Sequence, residues 1–245
     1  MRIRQAYVPS PLHASGFHKK FNLSKYRSRT EPTCFFGANV TYISRMKQHR
    51  GHLTLIWIGM DGYTLSIGNH DVDFVCKCRN IATSRELQKV LDDNNIVNEY
   101  YPISCFDFEE LKPEPLGDKI YFYYGGKKPE LYHLDIMREI EKQIDYEIIY
   151  VNGATTWTRE QTFDLYRDCF TGIRMRDFDG LSNTGIELGL MGRKVICNGD
   201  APNNVPYRNM EDIIDIIPSL REVDPNDVSA RVREFIEIGD DWLNI

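Results

Sequence analysis

The sequence predicts an α/β protein built on parallel sheets. Short apolar runs alternate with amphipathic stretches along the chain, which is typical of strands joined by helical crossovers. Hydrophobic residues make up 42% of the 245 residues and charged residues 27%, as in an ordinary globular chain. The longest mostly apolar run, at 53–60, is far shorter than the ~20 residues of a transmembrane helix. Membrane-spanning, collagen-like and disulfide-stapled classes are therefore not expected.

The first half of the chain predicts a small sheet with two crossover helices. Strands are expected at 4–8, 33–37, 53–59, 74–83 and 97–103. Helices are expected at 39–50 and 85–95, the second with Ser84 as its N-cap, because a serine hydroxyl can accept a hydrogen bond from the first turn. Residues 106–118 hold five acids and two prolines without a clear period, which favours a connection between domains.

The second half alternates strands and helices more regularly, which predicts a doubly wound sheet. Strands are expected at 119–125, 146–153, 170–175 and 193–199, and helices at 129–144, 158–169, 183–192, 209–220 and 226–243. We therefore predict an N-terminal domain at 1–106, a linker at 107–118 and a C-terminal domain at 119–245.

The loop after the strand at 170–175 carries the most chemistry. Its sequence, RMRDFDGLSNTGIELGLMGRKVI, combines cations, acids and a glycine turn with polar residues that open a helix. In a parallel sheet, ligands bind at the carboxyl ends of strands, and the start of a helix offers backbone N–H groups to a phosphate. Glu187, one turn inside that helix, could accept hydrogen bonds from a sugar. An ordinary capped helix explains Ser182 or Asn183, but not the crowding of arginines and acids.

This stretch resembles the donor motif of GT-B glycosyltransferases, in which an acidic residue, seven residues and a glutamate precede a glycine turn and an apolar strand. Here Asp179, Glu187 and GLMGRKVI carry the resemblance, with Asp179 in place of the glutamate that retaining GT-B families have. The resemblance covers residues 119–200 and extends more loosely over 33–105. It implies a GT-B fold of two small Rossmann-like domains with a crevice between them.

The resemblance also implies roles for single residues. Glu187 would bind the ribose of a nucleotide sugar, most simply a UDP-sugar, and Asp179 with Gly180 would contact the transferred sugar. Arginines and a lysine would neutralise the departing diphosphate, because fixed cations stabilise negative charge that develops in the transition state. The donor-binding set is Glu187, Arg174, Arg176, Lys127, Gly126, Gly180, Ser182, Asn183 and Thr184.

A metal site is a weaker hypothesis. Two Asp-x-Asp triplets, at 71–73 and 177–179, fit the motif with which GT-A transferases hold Mg²⁺ or Mn²⁺ against a diphosphate. A chain with 36 acidic residues produces such triplets by chance, and the donor motif favours GT-B, which needs no bound metal. We therefore expect a nucleotide-sugar co-substrate, but neither a metal nor another cofactor.

An inverting transferase needs a general base near the acceptor hydroxyl, whereas a retaining one does not have to supply one. Asp61 follows the strongest strand of the first half, and His18 lies in a predicted loop after the first strand, with a side chain that titrates near neutral pH. Asp61 in a helix cap and His18 in a basic surface cluster are the structural alternatives. The predicted catalytic residues are Asp61, His18 and Asp179.

Charge is distributed unevenly. Residues 1–50 hold ten basic residues and one acid, Glu31, whereas the rest of the chain holds 20 basic and 35 acidic residues. Such asymmetry indicates an anionic partner, although a solvated surface balanced by the acidic half is equally compatible. Interleaved aromatic residues, Phe17, Phe21 and Tyr26, could stack on bases. The predicted acceptor-binding residues are Lys19, Lys20, Lys25, Arg27 and Arg45.

Three functions follow as hypotheses. In the first, a hexosyl- or pentosyltransferase modifies a hydroxymethylated base in DNA, similar in size and charge layout to phage DNA-modifying GT-B enzymes. In the second, a peripheral membrane transferase builds surface polysaccharide or glycolipid, and the same cations face anionic lipid. In the third, an inactive GT-B domain only binds nucleotide or nucleic acid. The scattered cysteines and the absence of a signal-like start predict a cytoplasmic protein, or a host-cytoplasmic one if phage-encoded.

Overall fold

A computed structural model describes residues 1–9, 11–38, 40–68, 70–104, 108–125, 129–153, 155, 157–176 and 180–245, with the side chains of 11–15 and 40 left out. The chain divides into two compact units. Unit 1 comprises Met1–Asp107, Phe178–Ser182 and Ile236–Ile245, and unit 2 comprises Phe108–Asp177 and Asn183–Phe235. Each unit is built on one parallel sheet, as the alternation of apolar and amphipathic segments predicts.

Unit 1 contains a parallel sheet of six strands in the order β2-β1-β3-β4-β5-β6. The strands are β1 Gln5–Tyr7, β2 Ser24–Lys25, β3 Thr33–Phe36, β4 Leu53–Trp57, β5 Arg79–Ala82 and β6 Asn98–Tyr100. Its helices are α1 Pro11–Phe21, α2 Ile43–Lys47, α3 Gly59–Ser66, α4 Val72–Val75 and α5 Arg85–Asp93. Every residue of β3 and β4 is buried, as expected for central strands covered on both faces.

The predicted N-cap of α5 is confirmed, because the Ser84 hydroxyl accepts a hydrogen bond from the N–H of Leu87 at 3.2 Å. Two other predictions for unit 1 are wrong. Residues 13–21, expected to form a loop, belong to α1, which buries Phe17 and Phe21 four residues apart on one face. The strand expected at 74–83 is shorter and follows the helical turn of α4.

Unit 2 contains a parallel sheet of five strands in the order β11-β10-β9-β7-β8. The strands are β7 Lys119–Tyr123, β8 Ile148–Val151, β9 Cys169–Ile173, β10 Lys194–Ile196 and β11 Asn204–Val205. Its helices are α6 Leu134–Glu141, α7 Arg159–Arg167, α8 Asn183–Leu190 and α9 Met210–Ile216, and α10 Pro225–Ile236 follows. The helix expected over 129–144 is divided, because His133 has a φ of 51° between a 3-10 turn at Pro129–Tyr132 and α6.

The predicted linker is packed into unit 2. Phe108 and Leu111 are buried, and Arg193, which is fully buried, donates hydrogen bonds to the carbonyl oxygens of Glu114 at 2.9 Å and Pro115 at 2.5 Å. The guanidinium also donates to Met191 and Cys169. A buried cation satisfied by several carbonyls holds these segments together.

The last ten residues, which the sequence predicts to lie in the C-terminal domain, pack in unit 1. The Trp242 side chain is fully buried, and its ring meets that of Phe21 edge-on at 5.0 Å. Arg79 donates to the carbonyl oxygens of Trp242 at 2.6 Å and Asn244 at 2.7 Å, and it also pairs with Glu99. The predicted helix at 226–243 ends at Ile236 because the chain then enters the core of unit 1.

Candidate functional site

Tyr123 and Tyr132 pack between the loops that follow β7 and β8 in unit 2. The Tyr123 and Tyr132 rings meet edge-on at 5.3 Å. Gly125, with a φ of +45°, lies so close to Tyr132 that a Cβ would stand 2.2 Å from its ring, and a Cβ on Gly153 would stand 2.3 Å from the Tyr123 hydroxyl oxygen. Glycine is therefore required at both positions, and a compact wall forms at the carboxyl ends of the strands.

Two predicted donor-binding arginines lie against this wall. The guanidinium carbons of Arg174 and Arg176, which follow β9, stand 5.7 and 4.8 Å from the centre of the Tyr132 ring. Burial raises the pKa of Tyr123, whereas the two arginines act against that rise. The structure thus brings together two cations at the edge of a parallel sheet where anionic ligands bind.

Helix α8 begins at the same edge, because it connects the end of β9 to the start of the parallel strand β10. Asn183 and Thr184, both predicted donor residues, are half-buried in its first turn, and Ser182, a third predicted donor residue, directly precedes the helix and is counted with unit 1. The N-terminal end of a helix carries partial positive charge. The helix start and the arginine pair therefore favour the same kind of ligand, a phosphate-bearing one.

Glu187 lies in α8 and is 9% exposed. Its Oε2 accepts a hydrogen bond of 3.0 Å from the Tyr166 hydroxyl. Burial raises the pKa of Glu187 to about 7, while the Tyr166 hydrogen bond and Arg159 lower it and Glu110 raises it. A buried carboxyl group whose pKa lies near neutrality marks a candidate functional site.

Sequence reasoning did not single out Tyr121, Tyr132 or Tyr166. A signal exists for Tyr121 alone of the three, because KIYFYYG at 119–125 places tyrosine hydroxyls on an otherwise apolar strand, and a buried tyrosine hydroxyl needs a hydrogen-bond partner. The pattern does not say which partner that is.

Asp61 lies in the first turn of α3, at the carboxyl edge of the unit 1 sheet. It is 2% exposed, and its Oδ2 accepts hydrogen bonds from the N–H groups of Ala38 at 2.7 Å and Ile58 at 3.2 Å. Burial raises the pKa of Asp61 to about 7, although these two hydrogen bonds act against the rise. The capping alternative is thus observed. The raised pKa of Asp61 is also compatible with a role as a general base.

His18 is placed differently from the prediction. It lies in the last turn of α1 rather than in a loop, and its Nδ1 stands 3.0 Å from the carbonyl oxygen of Leu23, just before β2. Burial lowers the pKa of His18, with a further contribution from Lys25. Since α1 runs from the end of β1 to the start of β2, His18 lies at the amino edge of the sheet, opposite Asp61, and we do not retain it as a candidate base.

The five predicted acceptor-binding cations are not gathered at one place. Lys19 and Lys20 lie at the amino edge with the end of α1, and Lys25 lies in the edge strand β2. The backbone N–H of Arg27 donates to Gln5, the first residue of β1. Arg45 instead lies over the ring of Tyr7, the last residue of β1, at 4.8 Å. The cations therefore divide between the two ends of the sheet.

The aromatic residues expected to stack on bases are largely unsuitable. Phe17 and Phe21 are 0% and 3% exposed, within the core of unit 1. Tyr26 is half-buried, and its ring packs against Phe35 at 5.3 Å. The prediction for the two phenylalanines is wrong, because they supply the apolar face of a helix that the sequence pattern did not reveal.

Several predicted residues need separate placement. Asp179, Lys127, Gly126 and the 177–179 triplet lie outside the described residues. Gly180 is counted with unit 1, where a Cβ on it would stand 2.6 Å from the backbone nitrogen of Gly59. In the other triplet, Asp71 caps α4 by accepting from Phe74 and forms an ion pair with Lys47.

Within the described part of the chain, no three histidine, cysteine or acidic side chains are grouped as metal ligands would be. Over the same residues, none of the helices has the length and apolar character needed to cross a bilayer.

Comparisons with known proteins reveal the fold. No protein-family model matches the sequence, and no curated protein matches it. The chain is similar to S. aureus TarM in complex with fondaparinux, alpha-GlcNAc-glycerol and UDP, with a TM-score of 0.62 and 13% identity over 88% of this chain and 54% of that one. The chain thus spans about half the length of TarM.

In two further similar structures, the match covers a larger share of the other chain. Sucrose-phosphate synthase from Thermosynechococcus elongatus has a TM-score of 0.62 and 10% identity, over 94% of this chain and 76% of that one. Anabaena HepE in complex with UDP and glucose has a TM-score of 0.59 and 11% identity, over 96% and 79%. The fold is that of the GT-B glycosyltransferases. At such low identity, the likeness concerns the fold alone.

Proposed function

We propose that this chain is a glycosyltransferase that binds a nucleotide sugar, a UDP-sugar first of all, at the carboxyl edge of the unit 2 sheet. The observation that carries the proposal is the convergence of Arg174 and Arg176 on Tyr132 beside the start of α8. A neighbour with the same fold, HepE, was solved with UDP and glucose, which supports the choice of donor.

Each group of the edge has a physical task in this proposal. The two guanidinium groups and the first turn of α8 neutralise the diphosphate as it leaves, so that charge developing in the transition state meets fixed positive charge. The Glu187 carboxylate accepts hydrogen bonds from the ribose. The hydroxyls of Ser182 and Thr184 and the amide of Asn183 border the sugar phosphate. Asp179, Lys127 and Gly126 keep their proposed roles in binding the sugar and the diphosphate, and Gly180 completes the turn.

Binding is tested with UDP and UDP-sugars, with tryptophan fluorescence as the readout. Trp157, which follows β8, is 41% exposed, whereas Trp57 and Trp242 are both fully buried in unit 1. A ligand at this edge is therefore expected to change emission from Trp157, and Trp157→Phe is expected to remove the signal while calorimetry still detects binding. Folded protein that binds no nucleotide sugar in calorimetry would refute the proposal.

Activity separates a transferase from a domain that only binds. Slow hydrolysis of the bound UDP-sugar, measured as released UDP, is expected because water can replace an absent acceptor. Hexose and pentose donors compared side by side would identify the sugar class. Binding without turnover, unchanged in Glu187→Ala and Asp179→Ala, would favour the inactive nucleotide-binding domain.

For the acceptor, we propose a hydroxymethylated base in DNA. The support is three exposed cations of unit 1 at the end of α1 and in or just after the edge strand β2, namely Lys19, Lys25 and Arg27. Cations that follow a phosphate backbone release counterions and make binding depend on salt. Asp61 is the proposed base for the acceptor hydroxyl, because it lies at the carboxyl edge with a pKa near neutrality.

A gel shift with hydroxymethylated duplex DNA at several salt concentrations tests the acceptor. A plot of the logarithm of the binding constant against the logarithm of the salt concentration has a negative slope. In the triple variant Lys19→Ala/Lys25→Ala/Arg27→Ala, this slope is expected to become shallower by ~0.9 for each phosphate that is no longer neutralised. The matched control, Lys89→Ala/Lys112→Ala, removes exposed lysines outside the basic segment and is expected to leave DNA binding unchanged. Absence of a shift, with clear binding to anionic vesicles, would favour the peripheral membrane enzyme of polysaccharide or glycolipid synthesis.

A further inference from the structure

Two buried tyrosines, Tyr166 and Tyr121, lie behind Glu187 in the core of unit 2. Tyr166 of α7 is 1% exposed and donates its hydrogen bond to Oε2 of Glu187 at 3.0 Å. The Tyr121 and Thr184 side chains lie close enough to the Tyr166 hydroxyl to influence its pKa. The Tyr121 and Tyr166 rings meet edge-on at 4.9 Å. Glu187 thus belongs to a network that joins α8, α7 and β7.

Such a network fixes the geometry of its members. The terminal torsion of a glutamate is broad and has no strong preference of its own, so a free carboxylate adopts many orientations. A hydrogen bond from a packed phenol selects one of them, since the ring cannot move without disturbing its neighbours. Tyr121 stands on β7, an interior strand of the sheet, and is 3% exposed, so the ring of Tyr166 rests on a rigid support.

Charged groups near Glu187 come from two further places in unit 2. Arg159, at the start of α7, favours the ionised carboxylate, and Glu110, in the segment before β7, opposes it. These two side chains form an ion pair of 2.9 Å with each other, so their effects on Glu187 partly cancel. Burial disfavours the charge, and the Tyr166 hydrogen bond is the largest opposing influence.

We propose that Tyr166 is a positioning residue of the donor site, whose hydroxyl holds Oε2 of Glu187 so that Oε1 serves as the acceptor for the ligand. The inference rests on the proposed function, because it assumes that Glu187 binds the nucleotide. Loss of the hydroxyl raises the pKa of Glu187, so that a larger fraction of the carboxyl is protonated at pH 7. A protonated carboxyl is a poorer acceptor, and higher pH restores it.

The test measures the affinity for UDP by calorimetry between pH 6 and pH 9. In the wild type, the affinity is expected to fall as the pH is lowered through the pKa of Glu187. In Tyr166→Phe, the pH at which this fall occurs is expected to be higher by about one unit, the equivalent of one hydrogen bond to a charged group. In Glu187→Gln, binding is weaker and this displacement is absent. Titration of the diphosphate itself is common to all variants and cancels in the comparison.

Tyr150→Phe is the matched control. Tyr150 of β8 donates to Glu141 at 2.7 Å, so the substitution removes a tyrosine–glutamate hydrogen bond from the same unit but not from α8. Its pH profile is expected to coincide with that of the wild type. Tyr121→Phe leaves Tyr166 in place and removes a hydroxyl behind it, so a smaller upward displacement is expected, and this variant decides the matter if Tyr166→Phe does not fold.

The outcomes separate the inference from the proposed function. Wild-type profiles in Tyr166→Phe and Tyr121→Phe, with weakened binding in Glu187→Gln, would overturn the positioning role while the nucleotide site stands. Wild-type protein that binds no UDP at any pH would overturn both. A purely structural role for Tyr166 predicts a lower melting temperature and equal loss of affinity at every pH, which also contradicts the inference.

Discussion

The carboxyl edge of the unit 2 sheet and the basic first fifty residues of unit 1 both attract attention as charged stretches of sequence, but they fold differently. At the first, Arg174 and Arg176 converge on one tyrosine ring. In the second, Lys19 lies at the amino edge of its sheet, whereas Arg45 lies over Tyr7 at the opposite edge. Cations that are close in sequence are thus close in space in only one region.

The difference follows from topology. Residues of one loop after one strand stay together, because the strand end fixes all of them at the same edge. The basic segment instead runs through β1, α1, β2 and β3, and each parallel crossover carries the chain from one edge to the other. A charge count over such a segment reports composition and not a surface. Four predictions test the contrast, in order of expected effect.

The largest effect, on the rate of sugar transfer, is expected from Asp61, whose side chain lies at the carboxyl edge of the unit 1 sheet. Asp61→Asn keeps an oxygen that can accept from Ala38 and Ile58 but removes the base, so sugar transfer is expected to fall by about 10²–10⁴-fold. Turnover with a saturating acceptor measures it. Asp73→Asn, an exposed acid in α4, is the control, and equal turnover in both variants would exclude Asp61 as the base.

The second effect concerns stability and pH. The pKa of Asp61 is raised by burial to about 7, above its value in the unfolded chain, so the folded state binds the proton more tightly. The resulting stabilisation, at most about 4 kcal/mol, is complete below pH ~4 and is lost as the pH rises through 7. The free energy of unfolding, measured with urea from pH 4 to 8, should fall with rising pH in the wild type and fall less steeply in Asp61→Asn. Parallel curves would contradict the burial of a titrating carboxyl.

The third effect tests convergence in unit 2. Arg174→Ala and Arg176→Ala are each expected to weaken UDP binding by about 1.5–3 kcal/mol, the contribution of a hydrogen bond to a charged group. Arg221→Ala is the matched control, because this exposed arginine also lies over aromatic rings, Phe170 at 5.1 Å and Tyr146 at 5.9 Å, near the amino ends of β9 and β8. Equal losses in all three would mean that the edge is not the nucleotide site.

The smallest effect is expected in the basic segment. Lys19→Ala/Lys20→Ala is expected to change UDP affinity by less than about 0.5 kcal/mol, since the two lysines lie at the amino edge of the other sheet and exposed charges are screened. Calorimetry under the conditions used for the arginine variants measures this. A loss comparable to that of Arg174→Ala would break the contrast between the regions.

The sequence by itself determined the fold class and several element positions, and it predicts the loop after β9 as a donor site. Local periodicity reports which residues share a face, so strands such as 53–57 and the Ser84 cap were predictable. Helix α1 was missed, although Phe17 and Phe21 share a face, because glycine, serine and histidine weaken its pattern.

Only the tertiary structure decided which distant residues became partners. Arg193, a cation in the GLMGRKVI stretch, is fully buried and donates hydrogen bonds to the 114–115 segment. Trp242 returns to the core of unit 1, and Tyr166 meets Glu187. These pairings join residues 21–221 positions apart, and no local period encodes them, because burial and hydrogen-bond satisfaction are settled by the packing of whole elements.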